Sequence, residues 1–345
     1  MSTVLHPSAV LHPSAVLFAE GEHARELPVV DHYSGRETLM RKSLAKQAEL
    51  GPLFDVTLDC EDGAEAGREA AHARLVAALV NDPDLNRHGR VGARAHPVDH
   101  PAFADDVATL VGGAGARLAY LMVPKVRGLA DVQRAADAVD AAAARAGVPP
   151  PPLQALIETH GGLREVFAIA AHPRIESLSF GLMDFVSAHG GAIPDTAMQA
   201  QGQFSHPLVV RAKVEIAAAC HAAGIVPSHC VVTEFKDTAA LTAAARRAAQ
   251  EFGYTRMWSI HPAQIEPILA AFAPAAAEID TAAAVLLAAQ AAGWGPISHA
   301  DALHDRASYR YYWQVLVRAA RTGQPLPEAA RAAFFPSGEN AAHHD

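Results

Sequence analysis

Residues 54–63 read FDVTLDCEDG. A short apolar-rich run, Phe54–Leu58, gives way at once to a polar cluster, Asp59-Cys60-Glu61-Asp62-Gly63. A helical pattern, Glu65–Val80, follows. That is one β-then-α unit with its charged residues gathered where the strand ends. The same unit recurs along the chain. The other candidate strands are Val16–Phe18, Val91–Ala95, Ala119–Val123, Leu153–Ile157, Ser177–Phe180, Ile225–Val226 with its continuation, and Met257–Ile260. Several are apolar almost throughout, as strands buried on both faces are. Amphipathic stretches separate them: Glu37–Leu50, Ala102–Val111, Leu129–Ala146, Leu163–Ala171, Val209–Ala223, Thr238–Phe252 and Ala263–Ala271. Repeated βα units imply parallel strands joined by crossover helices, and eight of them suggest a closed (β/α)8 TIM barrel. A doubly wound sheet is the competing architecture.

The Pro run in Val148–Pro152 cannot be helical and reads as an extended approach to the fifth strand. After Pro274 the alternation stops. Helical segments at Glu278–Ala292, Ala307–Arg321 and Glu328–Phe335 follow with no strands between, which predicts a helical C-terminal extension. The expected division is a barrel over 1–275 with an irregular start at 1–13, the extension over 276–335, and a disordered tail at 336–345. The hexapeptide VLHPSA occurs twice, at 4–9 and 10–15. Two copies are too few for a repeat architecture, so we read a local duplication. The tyrosines and tryptophan at Tyr309, Tyr311, Tyr312 and Trp313 read as packing residues.

Composition narrows the functional classes. The chain has 345 residues, half of them apolar, and a formal net charge of -9. An acidic balance argues against a nucleic-acid or membrane-surface binder, since both need a basic face. Three widely spaced cysteines, Cys60, Cys220 and Cys230, form neither a disulfide framework nor a zinc motif. They are expected to be buried thiols in a reducing compartment. No secretory signal is evident, so the cytoplasm is the expected location.

Barrel enzymes place their chemistry at the C-terminal ends of the strands. Here those ends carry Glu61 and Asp62 after the second strand and Arg94 and His96 at the third. Lys125 follows the fourth, Glu158 the fifth, Gly181 to Asp184 the sixth, and His261 the eighth. Glu158 and Asp184 follow neighbouring strands, so their carboxylates can meet. A hard divalent cation would remove their repulsion, and Mg²⁺, with Mn²⁺ as the alternative, prefers such oxygen ligands. Arg94 is a fixed planar cation suited to a carboxylate or to an oxygen gaining negative charge. Glu61 and Asp62 can orient Arg94 or Lys125, or favour the start of the next helix. His261 is expected to stand behind the site.

At these residues the chain resembles the HpcH/HpaI aldolase/citrate lyase superfamily, most closely its citrate lyase β-subunit-like, malyl-CoA lyase-like branch. The matching segments are LDCEDGA (58–64), ARAHP (93–97), LMVPKV (121–126), LIETHGG (156–162), FGLMD (180–184) and SIHPAQIEPI (259–268). The resemblance implies a trimeric or hexameric barrel with Mg²⁺ on Glu158 and Asp184. It also implies that backbone N–H groups of Gly181, Leu182, Met183 and Asp184 hold a substrate carboxylate, and that Arg94 binds a thioester or enolate oxygen. The implied reaction cleaves or forms a C–C bond in a 3-hydroxyacyl thioester such as malyl-CoA, citramalyl-CoA or a citryl thioester. Glu61, Asp62, Lys125 and Arg94 are the catalytic candidates. In relatives the base can come from a neighbouring subunit's C-terminal region, for which Glu278, Asp280 and Asp301 are candidates here.

Relatives usually begin R-S-x-L-F-V-P-G, whereas this chain has Pro13–Gly21 (PSAVLFAEG), without the Arg and the Pro. The segment Val30–Arg36 is therefore expected to line the mouth and supply a cation through Arg36, Arg41 or Lys42. Gln199–His206 is expected to set specificity. Two other readings stand beside the lyase: an aldolase acting on a CoA-free 2-oxo acid such as pyruvate, and a non-catalytic metabolite-binding or complex-forming subunit.

Overall fold

The computed structural model describes residues 11–19 and 26–336. They fall in two compact units, one over 24–272, the other combining the described residues before 24 with those after 272. Most of the expected irregular start and of the disordered tail lies outside the described residues.

The unit over 24–272 is a closed barrel of eight strands in sequential order. They are β1 (Val30–Ser34), β2 (Phe54–Asp59), β3 (Val91–Arg94), β4 (Leu118–Val123), β5 (Leu153–Ile157), β6 (Ile175–Phe180), β7 (Val226–His229) and β8 (Arg256–Ser259). All neighbouring pairs are parallel, including β1 with β8. Seven of the expected strands are present, with ends shifted by one or two residues in most. The Pro run is irregular as expected, and the Pro152 carbonyl already accepts from Leu121 N–H of β4 at 3.0 Å.

The first strand is a correction. Val16–Phe18 is no strand: Pro13–Leu17 is a short helix. The His12 side chain accepts from Ser14 N–H, and Pro13 stands in the first turn, where its missing donor costs nothing. This helix belongs to the other unit, where Leu17 is fully buried with Trp313 and Phe334. The true β1 lies in the segment expected to line the mouth. Its sequence VDHYS looks like a loop because polar residues occupy both faces, yet Asp31 and His32 are buried against partners. Asp31 Oδ1 accepts from Thr57 Oγ1 at 2.6 Å, and its other oxygen lies 3.3 Å from Arg256. His32 bonds Ser259 Oγ at 2.6 Å and Ser43 Oγ at 2.9 Å, tying β1 to β8 and to the helix Glu37–Leu50.

His32 supplies a test of this strand. Burial, and after it the nearby His261, press the imidazole down from 6.5 to about 4. Between those values only the unfolded chain takes up the proton. The contribution to stability is therefore complete above pH 6.5 and lost as pH falls towards 4, by about 3 kcal/mol. Urea unfolding across that range should show a loss that shrinks in His32→Gln; an unchanged slope would contradict the buried, neutral imidazole.

Alternate residues of each strand face inward, and they form three levels. Lowest is an ionic network around Arg256, which bonds Asp55 at 2.5 Å, while Arg90 holds the same carboxylate through two hydrogen bonds. Above it is an apolar plug of Met122, Leu156 and Trp258. Highest, at the C-terminal ends, come Asp59, Arg94 and Glu158. The opposite strand faces pack Val56, Leu58, Val91, Ala93 and Leu121 into the main core under the helices.

The second unit holds the helices Ala276–Ala291, Arg306–Arg321 and Glu328–Phe334. A small antiparallel hairpin, β9 (Ile297–His299) and β10 (Ala302–His304), interrupts them where no strand was expected. Its turn uses left-handed backbone at Ala300 and Asp301, which propensity does not announce. Tyr309 and Trp313 are buried in this unit's core. Among the described residues no single helix is long and apolar enough to cross a membrane.

Candidate active site at the barrel rim

Asp59 and Arg94 are register partners on β2 and β3, so their side chains emerge side by side. Arg94 Nε donates to Asp59 Oδ1 at 2.6 Å. Its Nη1 lies 2.8 Å from Glu61 Oε2, and its Nη2 donates at 2.7 Å both to Asp62 Oδ2 and to the Tyr33 hydroxyl. Tyr33 donates to the other oxygen of Asp59 and stacks on Trp258 at 5.8 Å between ring centroids. Burial, more than the Asp59 charge, pushes its phenol above the ordinary range, so it stays protonated. The guanidinium is therefore fixed in plane by groups from β1, β2 and the loop after β2. Tyr33 and Asp59 belong to this cluster but were not among the expected site residues.

Lys125 follows β4 in left-handed backbone, with φ 51°. That turn sends its two nitrogens to different acidic groups. Its N–H donates to Glu158 Oε1 at 2.7 Å, and Nζ donates to Glu61 Oε1 at 2.6 Å. Nζ also lies 4.0 Å from Asp184. Burial, the largest single influence, would lower the ammonium, but the hydrogen bond to Glu61 and the charges of Glu61, Asp184 and Glu158 together raise it. Glu61 thus bridges Arg94 and Lys125.

Glu158 and Asp184 are different. Glu158 is 3% exposed and has no ion-pair partner among the described residues. Burial first, and then the Asp184 charge, push its carboxyl up to about 8. Gly181 explains how the two segments come so close. It follows β6 as Glu158 follows β5, and its N–H bonds Ile157 O at 3.1 Å. A Cβ there would sit 2.0 Å from Glu158 Oε2 and 2.6 Å from Glu158 Cβ. Gly181→Ala should therefore displace the Glu158 side chain and weaken Mg²⁺ binding about tenfold or more, as read by calorimetry; unchanged affinity would detach Glu158 from metal binding.

Helix Leu182–Ser187 begins after Gly181 and carries Asp184 in its first turn. Its first N–H groups have no intrahelical acceptor, which suits the expected carboxylate cradle. The Leu182 side chain is buried in the core, and Met183 packs against the same core, so only their backbones serve the rim.

A cavity of about 330 Å³ lies among Lys125, Glu158, Asp184, Arg127 and Asp99. Arg127 and Asp99 pair with each other at 2.9 Å. Around the remaining groups, five carboxylates (Asp59, Glu61, Asp62, Glu158 and Asp184) face two cations (Arg94 and Lys125). An anionic substrate entering that excess would be repelled. A divalent cation at Glu158 and Asp184, which have between them only the 4.0 Å contact of Asp184 with Lys125, would offset it and suits their all-oxygen donor set, so the residues present fit Mg²⁺. Among the described residues no group of three or more His, Cys, Asp or Glu forms a ready-made metal cage. Mg²⁺ commonly uses one or two carboxylates with water and substrate completing its shell.

Other expectations fare differently. Arg41 is paired with Glu37 at 2.9 Å, while Arg36 and Lys42 are exposed at the start of the first barrel helix. Gln203 and Phe204 of the supposed specificity segment turn into a buried cluster with Lys213, His229 and Cys230. His261 caps the turn after β8 and stacks on Phe235. Glu278 caps the helix at Ala276, accepting from Ala275 N–H at 2.8 Å, and lies with Asp280 and Asp301 in the other unit. All three cysteines are buried and free.

Known proteins share this framework. The family model for HpcH/HpaI aldolase/citrate lyase matches residues 39–262. An L-malyl-CoA/β-methylmalyl-CoA lyase of Cereibacter sphaeroides is 34% identical over 301 residues, which cover 83% of this chain and 91% of the relative. The crystal structure of a citrate lyase from Burkholderia xenovorans LB400 superposes with a TM-score of 0.81 at 56% identity, covering 94% of this chain and 99% of that one. Protein CitE from Mycobacterium tuberculosis, in complex with magnesium, acetoacetate and coenzyme A, superposes with a TM-score of 0.63. It is 23% identical, with coverages of 85% and 98%, and so speaks to the fold alone.

Proposed function

Since the chain belongs to the HpcH/HpaI aldolase/citrate lyase family, we propose that it is a Mg²⁺-dependent carbon–carbon lyase. Its substrate is a 3-hydroxyacyl thioester of the malyl-CoA type, cleaved or formed through an enolate. The observation that carries this reading is the pairing of two unlike centres on one rim. Glu158 has no ion-pair partner among the described residues and Asp184 has Lys125 Nζ only at 4.0 Å, while Arg94 is buried and held in plane beside them.

Each centre has its own task. Glu158 and Asp184 would hold Mg²⁺, which when bound polarises the hydroxyl and carboxylate oxygens of the substrate. Arg94 stabilises the charge that develops on the thioester oxygen as the bond between the hydroxyl-bearing carbon and the α-carbon breaks. Asp59 and Tyr33 keep the guanidinium from rotating, so little reorganisation is needed when that charge appears. Lys125 neutralises Glu61 and fixes Glu158 through its backbone N–H. The N–H groups of Leu182 to Asp184 orient the substrate carboxylate. The hydroxyl proton leaves to a base supplied by Glu278, Asp280 or Asp301 of a neighbouring copy in a homotrimer or homohexamer. The three buried thiols suit a reducing cytoplasm.

A panel of purified substrates with Mg²⁺ separates this reading from its rivals. Malyl-CoA, citramalyl-CoA or a citryl thioester should be cleaved, with the fastest of them identifying the acyl group. Turnover confined to CoA-free 2-oxo acids would replace the lyase by an aldolase. No turnover of any, with carboxylates still bound, would leave a binding subunit.

A further inference from the structure

We infer that Asp62 is a displaceable stand-in for the enolate oxygen, occupying Arg94 Nη2 between turnovers and yielding it to the substrate's thioester oxygen. The inference rests on Arg94 being the group that meets the developing oxyanion.

The four partners of Arg94 are held very differently. Asp59 is 0% exposed and also accepts from Glu61 N–H at 3.0 Å, Asp62 N–H at 2.9 Å and the Tyr33 hydroxyl. Glu61 has a side chain 7% exposed and is clamped from its other oxygen by Lys125. Tyr33 is stacked on Trp258. The Asp62 side chain is 73% exposed, and among the described residues its carboxylate pairs with Arg94 alone. An ion pair with one partner in water is the weakest of the set, because solvent screens it and competes for it.

The direction of exchange follows from the donors. Both hydrogens of Nη2 are in use, one on Tyr33 and one on Asp62. An incoming oxygen on this edge must take one of them, and the solvent-facing one is the easier to release. Asp59 and Glu61 stay on the guanidinium when Asp62 leaves, so the swap avoids the large cost of a bare buried cation. It also moves a carboxylate away from the negative charge that develops on the thioester oxygen.

The backbone confines the motion to the side chain. Asp62 N–H is fixed on Asp59, and the next residue, Gly63, is wedged where a Cβ would lie 2.3 Å from Asp59 O and 2.5 Å from Gly35 O. The loop cannot lift there without breaking those contacts, whereas the Asp62 side chain can rotate into water. Asp62 is then a positioning and selectivity residue. It discriminates against anions that bring no other contacts to offset its displacement.

The test compares Asp62→Asn and Asp62→Ala with the unaltered full chain in the presence of Mg²⁺, using acetate as the probe anion and calorimetry as the readout. Both variants should bind acetate about fivefold more tightly, the worth of an exposed pair. With malyl-CoA the KM should fall by a similar factor. Glu61→Gln should do the opposite and weaken acetate binding, since it loosens Arg94 and Lys125 together. Unchanged or weaker acetate affinity in both Asp62 variants, or no acetate binding by any protein, overturns the inference. A kcat loss of about a hundredfold at unchanged acetate affinity also overturns it, because that marks a proton-transferring Asp62. Tighter acetate binding without thioester cleavage would sink the lyase reading while leaving the role of Asp62 intact.

Discussion

Glu158→Gln should lower lyase turnover by about a thousandfold or more while leaving the metal-free protein at least as stable as before. The two halves of that result have one cause. Glu158 is buried, and among the described residues its only direct hydrogen-bond donor is Lys125 N–H. Asp184 adds a like charge beside it. Gln keeps an acceptor for the Lys125 N–H and nearly the same volume, but removes the charge that burial and Asp184 oppose. In EDTA the melting temperature of the variant should therefore equal or exceed that of the parent. Addition of Mg²⁺ should raise the parent's melting temperature by mass action and leave the variant's unmoved. The lost turnover corresponds to about 4 kcal/mol of transition-state stabilisation, within what a metal-bound oxygen supplies. A variant that melts well below the parent in EDTA would mark Glu158 as a structural residue. One that keeps its Mg²⁺-induced shift would place the ion elsewhere.

Arg94→Ala carries the second large effect, and it should strike stability and turnover together. The guanidinium closes the charges of Asp59, which is 0% exposed, and of Glu61. Removing one member of a buried pair typically costs 3–5 kcal/mol, so a drop of about that size in urea unfolding is expected. The kcat should fall by about a hundredfold to a thousandfold, the usual cost of losing an oxyanion donor. Arg94→Lys separates the two roles. A lysine restores charge but cannot serve Asp59, Glu61, Asp62 and Tyr33 from one rigid plane. It should recover part of the stability and little of the kcat. Full recovery of turnover in Arg94→Lys would show that charge alone, not the oriented fork, does the chemistry.

The barrel was largely legible because its strands are written in apolar runs that end in charged residues. FDVTLDCEDG shows both halves of that signal, and β2 with Glu61 and Asp62 fell where its pattern placed them. The rim carboxylates could be paired before any coordinates, since Glu158 and Gly181 to Asp184 close adjacent strands. What escaped was whatever depended on partners far away in sequence. β1 was missed because Asp31, His32 and Tyr33 break the apolar alternation, and their burial makes sense only once Thr57, Arg256, Ser259 and Arg94 are in place. The apolar run Val16–Phe18 drew attention instead, though Leu17 is buried in the helical unit. A hint was available: VDHYS sits the usual short distance before the helix at Glu37, where a barrel strand belongs. Asp59 was seen only as the head of a polar loop, and the register with Arg94 is a product of β2–β3 pairing. The left-handed turn at Lys125 has no local sequence signature, yet it sends one residue to both Glu61 and Glu158.

The most direct test of the central claim is product analysis of malyl-CoA incubated with the full chain, with Mg²⁺ and then with EDTA. The account predicts acetyl-CoA and glyoxylate in equal amounts, formed with Mg²⁺ and abolished by EDTA. Malate and free CoA in their place, or cleavage that persists undiminished in EDTA, would contradict it.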